Sequence, residues 1–253
     1  MLIDDADPYR DDDGHSGPYA LAALDRLDDA GHARWRTAWQ DAQPWLRLGD
    51  GARARETAAL LDAFVPLGGS PTAQCSATKH DAFGALLTTV PRSGVELAAT
   101  LVHELQHAKL LALSGVTPLH TAGDRAVYWA PWRRDPRPFD GLLQGAYAHL
   151  ALADFHLAVA TATADPAVRD TAWADHCRCR QQVGAALPQL QGSSRLTPHG
   201  RALIGAMSAH HARMQLHRPP EGHLARATAY VETARALWDK QRARATGPAA
   251  PGR

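Results

Sequence analysis

SGVELAATLVHELQHAKLLALSG, residues 93–115, is the stretch on which the reading of this chain turns. Ser93 followed at the third position by Glu96 is a capping-box pattern, so a helix is expected to start at about Gly94. The spacing carries that helix to about residue 113, with a stop at Ser114-Gly115 where glycine can take the left-handed cap conformation. On a helical wheel Leu97, Leu101, Leu105, Ala108 and Ala112 form one apolar arc. Glu96, His103, His107 and Ser114 lie opposite. Alanine and leucine fill much of the remainder, so the helix is expected to be buried on most sides.

The segments around it are placed from there. AFGALLTTV (82–90) is apolar, ends in Thr-Thr-Val and stops at Pro91, which makes it the best strand in the chain. PLGGSPTAQ (66–74) reads as a break. Within 17–66, Leu21, Leu24, Leu27, Trp35, Trp39, Leu60, Leu61 and Phe64 recur at helical spacing, so two or three helices fit. Residues 115–138 contain four prolines and cannot be regular throughout. Asp140 can cap a second apolar helix over 141–162, which ends before Asp165-Pro166. Further helices fit 166–189, 197–214 and 220–245. The expected architecture is mostly α, of the α+β class.

Composition narrows the setting. The 253 residues suit one large domain or two small ones. We expect a single catalytic domain over 17–244, made of N-terminal helices (17–66), a metal-site core (76–162) and C-terminal helices (166–244). Residues 1–16 and 245–253, rich in Asp or in Pro and Gly, are expected to be disordered. A formal net charge of +1 gives no global basic field for nucleic acid. No apolar run of 18 residues is present, so no membrane span is expected, and the acidic start MLIDDADPYRDDDG, without an apolar h-region, is not expected to act as a signal peptide. Cys75, Cys177 and Cys179 make no disulfide framework, and Cys177-Arg-Cys179 beside His176 has the wrong spacing for a zinc knuckle. Ordinary thiols in a cytoplasmic protein are expected.

The chemistry lies in H-E-x-x-H. Positions i and i+4 place the imidazoles of His103 and His107 on one face, close enough to share an ion. Glu104 can reach its outer shell, where in a peptidase it acts as general base for bound water. The bland alternative is a pair of core histidines, but two buried imidazoles beside a buried Glu are costly without a partner. The third ligand decides the class. A metzincin requires Gly and His where this chain has Leu110 and Leu113. A thermolysin-like site requires a downstream Glu, and none occurs between Glu104 and Glu221. His120, Asp124, Asp140, His149, Asp154 and His156 remain. His149 shares a face with Gly145, Ala146, Leu152 and Ala153, small neighbours that let two helices approach, and it is the favoured donor. His156 lies further along that face, and Asp154 points about a third of a turn away.

Three nitrogen donors leave positions open. Zinc takes one water there; iron(II), preferring six ligands, takes a 2-oxo acid and O₂. A second carboxylate on that acid suits a bidentate arginine. APWRRDPRP (130–138) offers Arg133, Arg134 and Arg137, which spacing alone reads more readily as solvent-exposed loop arginines.

DAFGALLTTV, LVHELQHAKL and YWAPWRRDPRPFDGLLQGAYAHLALADFH, taken together, resemble the HExxH-motif peptide-modification proteins of ribosomally synthesised peptide pathways. The resemblance covers about residues 76–160, with an echo in LTPHG (196–200). It implies a helical domain with a zincin-like strand beside the HExxH helix, and an iron(II)- and 2-oxoglutarate-dependent oxygenase. Such an enzyme hydroxylates a side chain of a precursor peptide, commonly at the β-carbon. It further implies that His103 and His107 hold iron and that Arg133 or Arg137 helps to bind 2-oxoglutarate. On that reading the strand around Phe83–Thr89 is an edge that pairs with an extended peptide. The alternatives are a zinc metallopeptidase with Glu104 as base, and a silent module that presents the peptide to another enzyme.

Overall fold

A computed structural model describes residues 2–10, 22–24, 26–68, 75–79 and 81–246. The chain is mostly helical with one four-stranded sheet, an α+β class. It divides into two compact units, Met1–Val116 with Thr161–Thr163, and Thr117–Ala160 with Ala164–Arg253.

The first unit holds the sheet. Helix α1 (Asp29–Leu46) opens on Asp28, whose carboxylate accepts from the Gly31 N–H at 2.7 Å. Helix α2 (Ala52–Leu60) follows. The strands are β1 (Leu2–Ile3), β2 (Ala63–Pro66), β3 (Ser76–Thr78) and β4 (Ala85–Thr88), in the order β1-β2-β4-β3. β1, β2 and β4 run parallel, and β3 pairs antiparallel with β4 through Ser76 with Thr88 and Thr78 with Leu86. Trp35 of α1 is fully buried against Phe64 of β2, with ring centroids 5.4 Å apart.

Several expectations are corrected here. Leu2–Ile3 is a strand and Pro8–Arg10 a turn of 3-10 helix, so these residues are not the disordered start that was expected; residues 11–16 lie outside the described ones. Asp5 anchors this start, accepting from the Leu27 N–H at 2.8 Å and meeting His32 at 3.0 Å. Ala63–Pro66, grouped with the helices, is a strand. It lies between two parallel neighbours, where an apolar run shows no alternation to tell strand from helix. The break assigned to 66–74 falls largely outside the described residues. The 82–90 strand is real but is interior, and the antiparallel edge is β3. The β3–β4 connection closes on Gly84 at φ +91°, where a Cβ would collide with the Asp62 carboxylate.

Helix α3 (Gly94–Val116) carries H-E-x-x-H. Ser93 Oγ accepts from the Glu96 N–H at 3.3 Å, as a capping box requires, but the Glu96 carboxylate reaches to the Arg92 N–H at 2.7 Å. The expected glycine stop fails. Gly115 stays helical and the helix ends at Val116, one residue before Thr117-Pro118, because proline excludes its predecessor from the helical region.

The second unit contains α4 (Phe139–Ala162, its last residues grouped with the first unit), α5 (Pro166–Gln191), α6 (Pro198–Met214) and α7 (His223–Thr246). α7 includes residues 245 and 246 of the expected tail; 247–253 lie outside the described residues. Asp140 sits inside the first turn of α4 rather than capping it. LTPHG is a latch. Thr197 caps α6, and its hydroxyl also donates to the Pro118 carbonyl at 2.8 Å. Among the described residues no helix is long and apolar enough to cross a membrane.

Candidate metal centre

In the first unit α3 places His103 and His107 one turn apart, both half-buried, with buried neighbours Val102, Glu104 and Gln106 between and beside them. The two Nε2 atoms are 3.2 Å apart and the rings meet edge to face. Two nitrogens held about 2.1 Å from one ion at 90–110° stand about 3.0–3.4 Å apart, so the pair has the spacing of two donors to a shared ion. Soft or borderline divalent metals accept imidazole readily, and the fit is to iron or zinc alike.

Glu104 is tied down. Strand alternation puts the Ser76 and Thr78 hydroxyls on the same face of β3, toward α3. Ser76 Oγ donates to Glu104 Oε1 at 2.7 Å, Thr78 Oγ1 donates to Oε2 at 3.4 Å, and the Thr78 backbone N–H donates to the same carboxylate. Burial pushes the Glu104 carboxyl above its ordinary range, against the Ser76 bond and the nearby His107, which favour the anion. Ser76 and Thr78 were not singled out in the sequence. A serine and a threonine two positions apart in a strand carry that signal only once the strand is known to lie beside the helix.

This arrangement corrects the expected peptide-pairing edge. The expected strand is interior, and the true edge, β3, is three residues long. One of its N–H groups, that of Thr78, is already engaged by Glu104.

The remaining candidates belong to the second unit. His149 Nδ1 lies 2.8 Å from the Gly145 carbonyl, which can only accept, so Nδ1 carries the proton and the lone pair is on Nε2. Metal-ligating histidines are oriented by this kind of backbone bond. The ring stacks on Trp132, centroids 4.5 Å apart and 20° from parallel. Gly145 is small for this reason: a Cβ there would overlap the Trp132 indole. The glycine seats an aromatic ring from the Pro-rich loop, a role that its grouping with small residues for helix contact missed.

His120 and Asp140 satisfy each other, Nε2 to Oδ1 at 3.3 Å, while His120 Nδ1 accepts from the Ala122 N–H at 3.2 Å. Asp154 pairs with His210 at 3.3 Å, and Asp124 is exposed. Burial pushes His156 down to about 4. Among the described residues no group of three or more His, Cys, Asp or Glu side chains is placed to hold an ion. His176 bonds the Ala153 carbonyl at 2.8 Å, and burial pushes the Cys177 thiol up and that of Cys179 to about 12, so both are inert thiols.

The two nominated arginines share one counter-ion. Arg133 Nε donates to Asp135 Oδ1 at 3.0 Å, and Arg137 Nη1 stands 3.6 Å from Oδ2. The Arg133 bond holds the Asp135 carboxyl below its ordinary range. The loop is closed by a bridge between Tyr128 and Arg137, so both arginines project from a fixed turn. Two guanidinia against one carboxylate leave a net positive charge. No family model matches the sequence, and neither does any curated protein.

Proposed function

We propose that this protein is an iron(II)- and 2-oxoglutarate-dependent oxygenase that hydroxylates a side chain of a ribosomally made precursor peptide, at the β-carbon. The observation that carries the reading is the state of the H-E-x-x-H residues. His103 and His107 present Nε2 atoms 3.2 Å apart, while both Glu104 oxygens are engaged by β3 hydroxyls. A peptidase needs that carboxylate to take a proton from water; a redox centre needs only the imidazoles. Bound iron with 2-oxoglutarate and dioxygen supplies the oxidising power for C–H hydroxylation, releasing succinate and carbon dioxide. His103 and His107 hold the ion, and His149 is retained as third donor on the sequence argument. Arg133 or Arg137 takes the distal carboxylate of the co-substrate. Glu104 fixes the turn of α3 that carries both imidazoles to β3.

The zinc-peptidase reading draws on one observation of its own. A buried carboxyl displaced upward is the setting in which a general base works near neutral pH. Glu104→Gln separates the two, since glutamine keeps acceptor and donor atoms for Ser76 and Thr78. After anaerobic reconstitution with Fe(II), the oxygenase reading expects succinate release and a peptide heavier by about one oxygen atom, with the variant within about tenfold of wild type. Peptide scission with zinc and no 2-oxoglutarate, lost by about 10²-fold or more in Glu104→Gln, overturns it.

A further inference from the structure

We propose that the second unit carries a docking groove for an extended acidic peptide segment, formed between α7 and the Trp129–Arg134 loop. This rests on the reading of the protein as one that acts on a peptide. The cavity measures about 790 Å³. One wall is a single stripe of α7, in which Arg226, Tyr230, Leu237 and Trp238 recur at helical spacing and run on to Gln241. Trp129, Pro131, Trp132, Arg133 and Arg134 form the other wall. Tyr230 and Leu237 are 52% and 56% exposed, unusual for large apolar side chains on a helix that packs against α5.

Length argues for a chain rather than a metabolite. From Arg226 to Gln241 the stripe runs about 22 Å at 1.5 Å per residue, the span of six or seven residues of extended peptide. Charge argues for an acidic one. Three arginines line the groove and no Asp or Glu does. Arg133 is neutralised by Asp135, but Arg134 has no acidic partner among the described residues, and Arg226 reaches the Asp170 carboxylate only through His223, donating to Nδ1 at 3.0 Å while Nε2 meets Asp170 at 3.1 Å. Aromatic faces beside guanidinia give an acidic peptide both an ion pair and a surface for its apolar residues. Single-stranded nucleic acid also uses arginine and aromatic rings. A chain with net charge +1 and three lysines, however, lacks the surrounding basic field that backbone tracking needs. β3 offers too short an edge to hold a peptide by itself, so a separate holding site fits the task.

The test is equilibrium binding in EDTA, which keeps turnover out of the measurement. The probe is a fluorescein-labelled peptide of about eight residues alternating Asp or Glu with Leu and Phe, long enough to fill the groove. It is compared with an amide version carrying Asn and Gln. Saturable anisotropy change is expected, weakened about tenfold or more by Arg134→Glu, by Arg226→Glu and by Trp238→Ala. It should also fall as salt rises from about 0.05 to about 0.3 M. Both arginines are exposed, and unchanged melting temperatures of those two variants exclude unfolding as the cause. Absence of saturable binding, equal binding of the amide peptide, or binding indifferent to both charge reversals overturns the proposal. So does displacement of the probe by a single-stranded RNA of about eight nucleotides at lower concentration than by unlabelled peptide. No binding by the wild-type protein with hydroxylation intact marks failure of the groove, and hydroxylation absent with wild-type binding intact marks failure of the oxygenase reading.

Discussion

Gly145→Ala is expected to destabilise the protein, although the same change at Gly205, in an open stretch of α6, should stabilise it. In a helix interior alanine gains about 1 kcal/mol over glycine through propensity and reduced unfolded-state freedom. At Gly145 the new methyl would stand 2.5 Å from Trp132 Cε2 and 2.7 Å from Nε1, and closer still to Cζ2. Carbon contacts settle at about 3.5–4.0 Å, so the indole must retreat by about an ångström or more. That retreat opens the stack on His149, itself worth about 0.5–1.5 kcal/mol. Overpacking of this kind costs about 1–3 kcal/mol, which leaves a net loss of up to about 2 kcal/mol after the helical gain. Gly205 in α6 is the internal control, exposed and with nothing within 4 Å of its would-be methyl, so Gly205→Ala should gain up to about 1 kcal/mol. Urea unfolding followed by tryptophan fluorescence and far-UV circular dichroism gives both values. Trp132→Leu should convert Gly145→Ala from loss to gain in a double-mutant cycle. If Gly145→Ala stabilises as much as Gly205→Ala, the indole is not seated on that glycine, and the account of the loop's attachment is wrong.

Other measurements bear on the site and on stability. His103→Ala and His107→Ala should each lower bound metal after reconstitution, read by elemental analysis, and abolish turnover; full metal content in either variant removes that imidazole from the ligand set. Arg133→Ala or Arg137→Ala should raise the KM for 2-oxoglutarate about tenfold or more with a smaller effect on kcat; unchanged co-substrate dependence in both refutes the role. Acid should destabilise the fold through His156, which burial holds down to about 4 while the unfolded imidazole titrates near 6.5. Between those limits the unfolded chain takes up a proton that the folded chain refuses. The resulting stability is complete above about pH 6.5 and falls by at most about 3 kcal/mol on the way to about pH 4. His156→Asn should flatten that limb of the pH–stability curve, and an unchanged slope would locate the acid sensitivity elsewhere.

Long periodic elements were legible in the sequence; the short strands β1 and β2 were not. α3 to α7 were expected within about three residues of where they lie, because capping residues, proline and an apolar face all mark them. β4 was legible because nine apolar or β-branched residues end at a proline. β2 was not, since a strand with parallel neighbours on both sides loses its alternation and its Phe64 keeps a helical distance from Leu60 and Leu61. β1 is two residues long and is held by Asp5 bonding Leu27, a partner more than twenty positions away that no local pattern announces.

The site divides in the same way. H-E-x-x-H could be placed from spacing, because the two imidazoles depend only on helical geometry. What Glu104 does depends on Ser76 and Thr78, which reach it by way of a strand only three residues long. The motif alone assigns Glu104 to hydrolysis, whereas its bonds to Ser76 and Thr78 tie the turn that carries both imidazoles to the sheet. Ser76→Ala measures which assignment holds. Loss of a 2.7 Å hydroxyl bond to a buried carboxylate should cost about 1.5–3 kcal/mol of stability. It should also disturb metal retention, because the anchored turn carries both imidazoles. A variant that hydrolyses or hydroxylates faster, with metal binding and stability intact, would mean that the serine restrains a reactive base and not a strut, and the oxygenase reading would lose the observation that carries it.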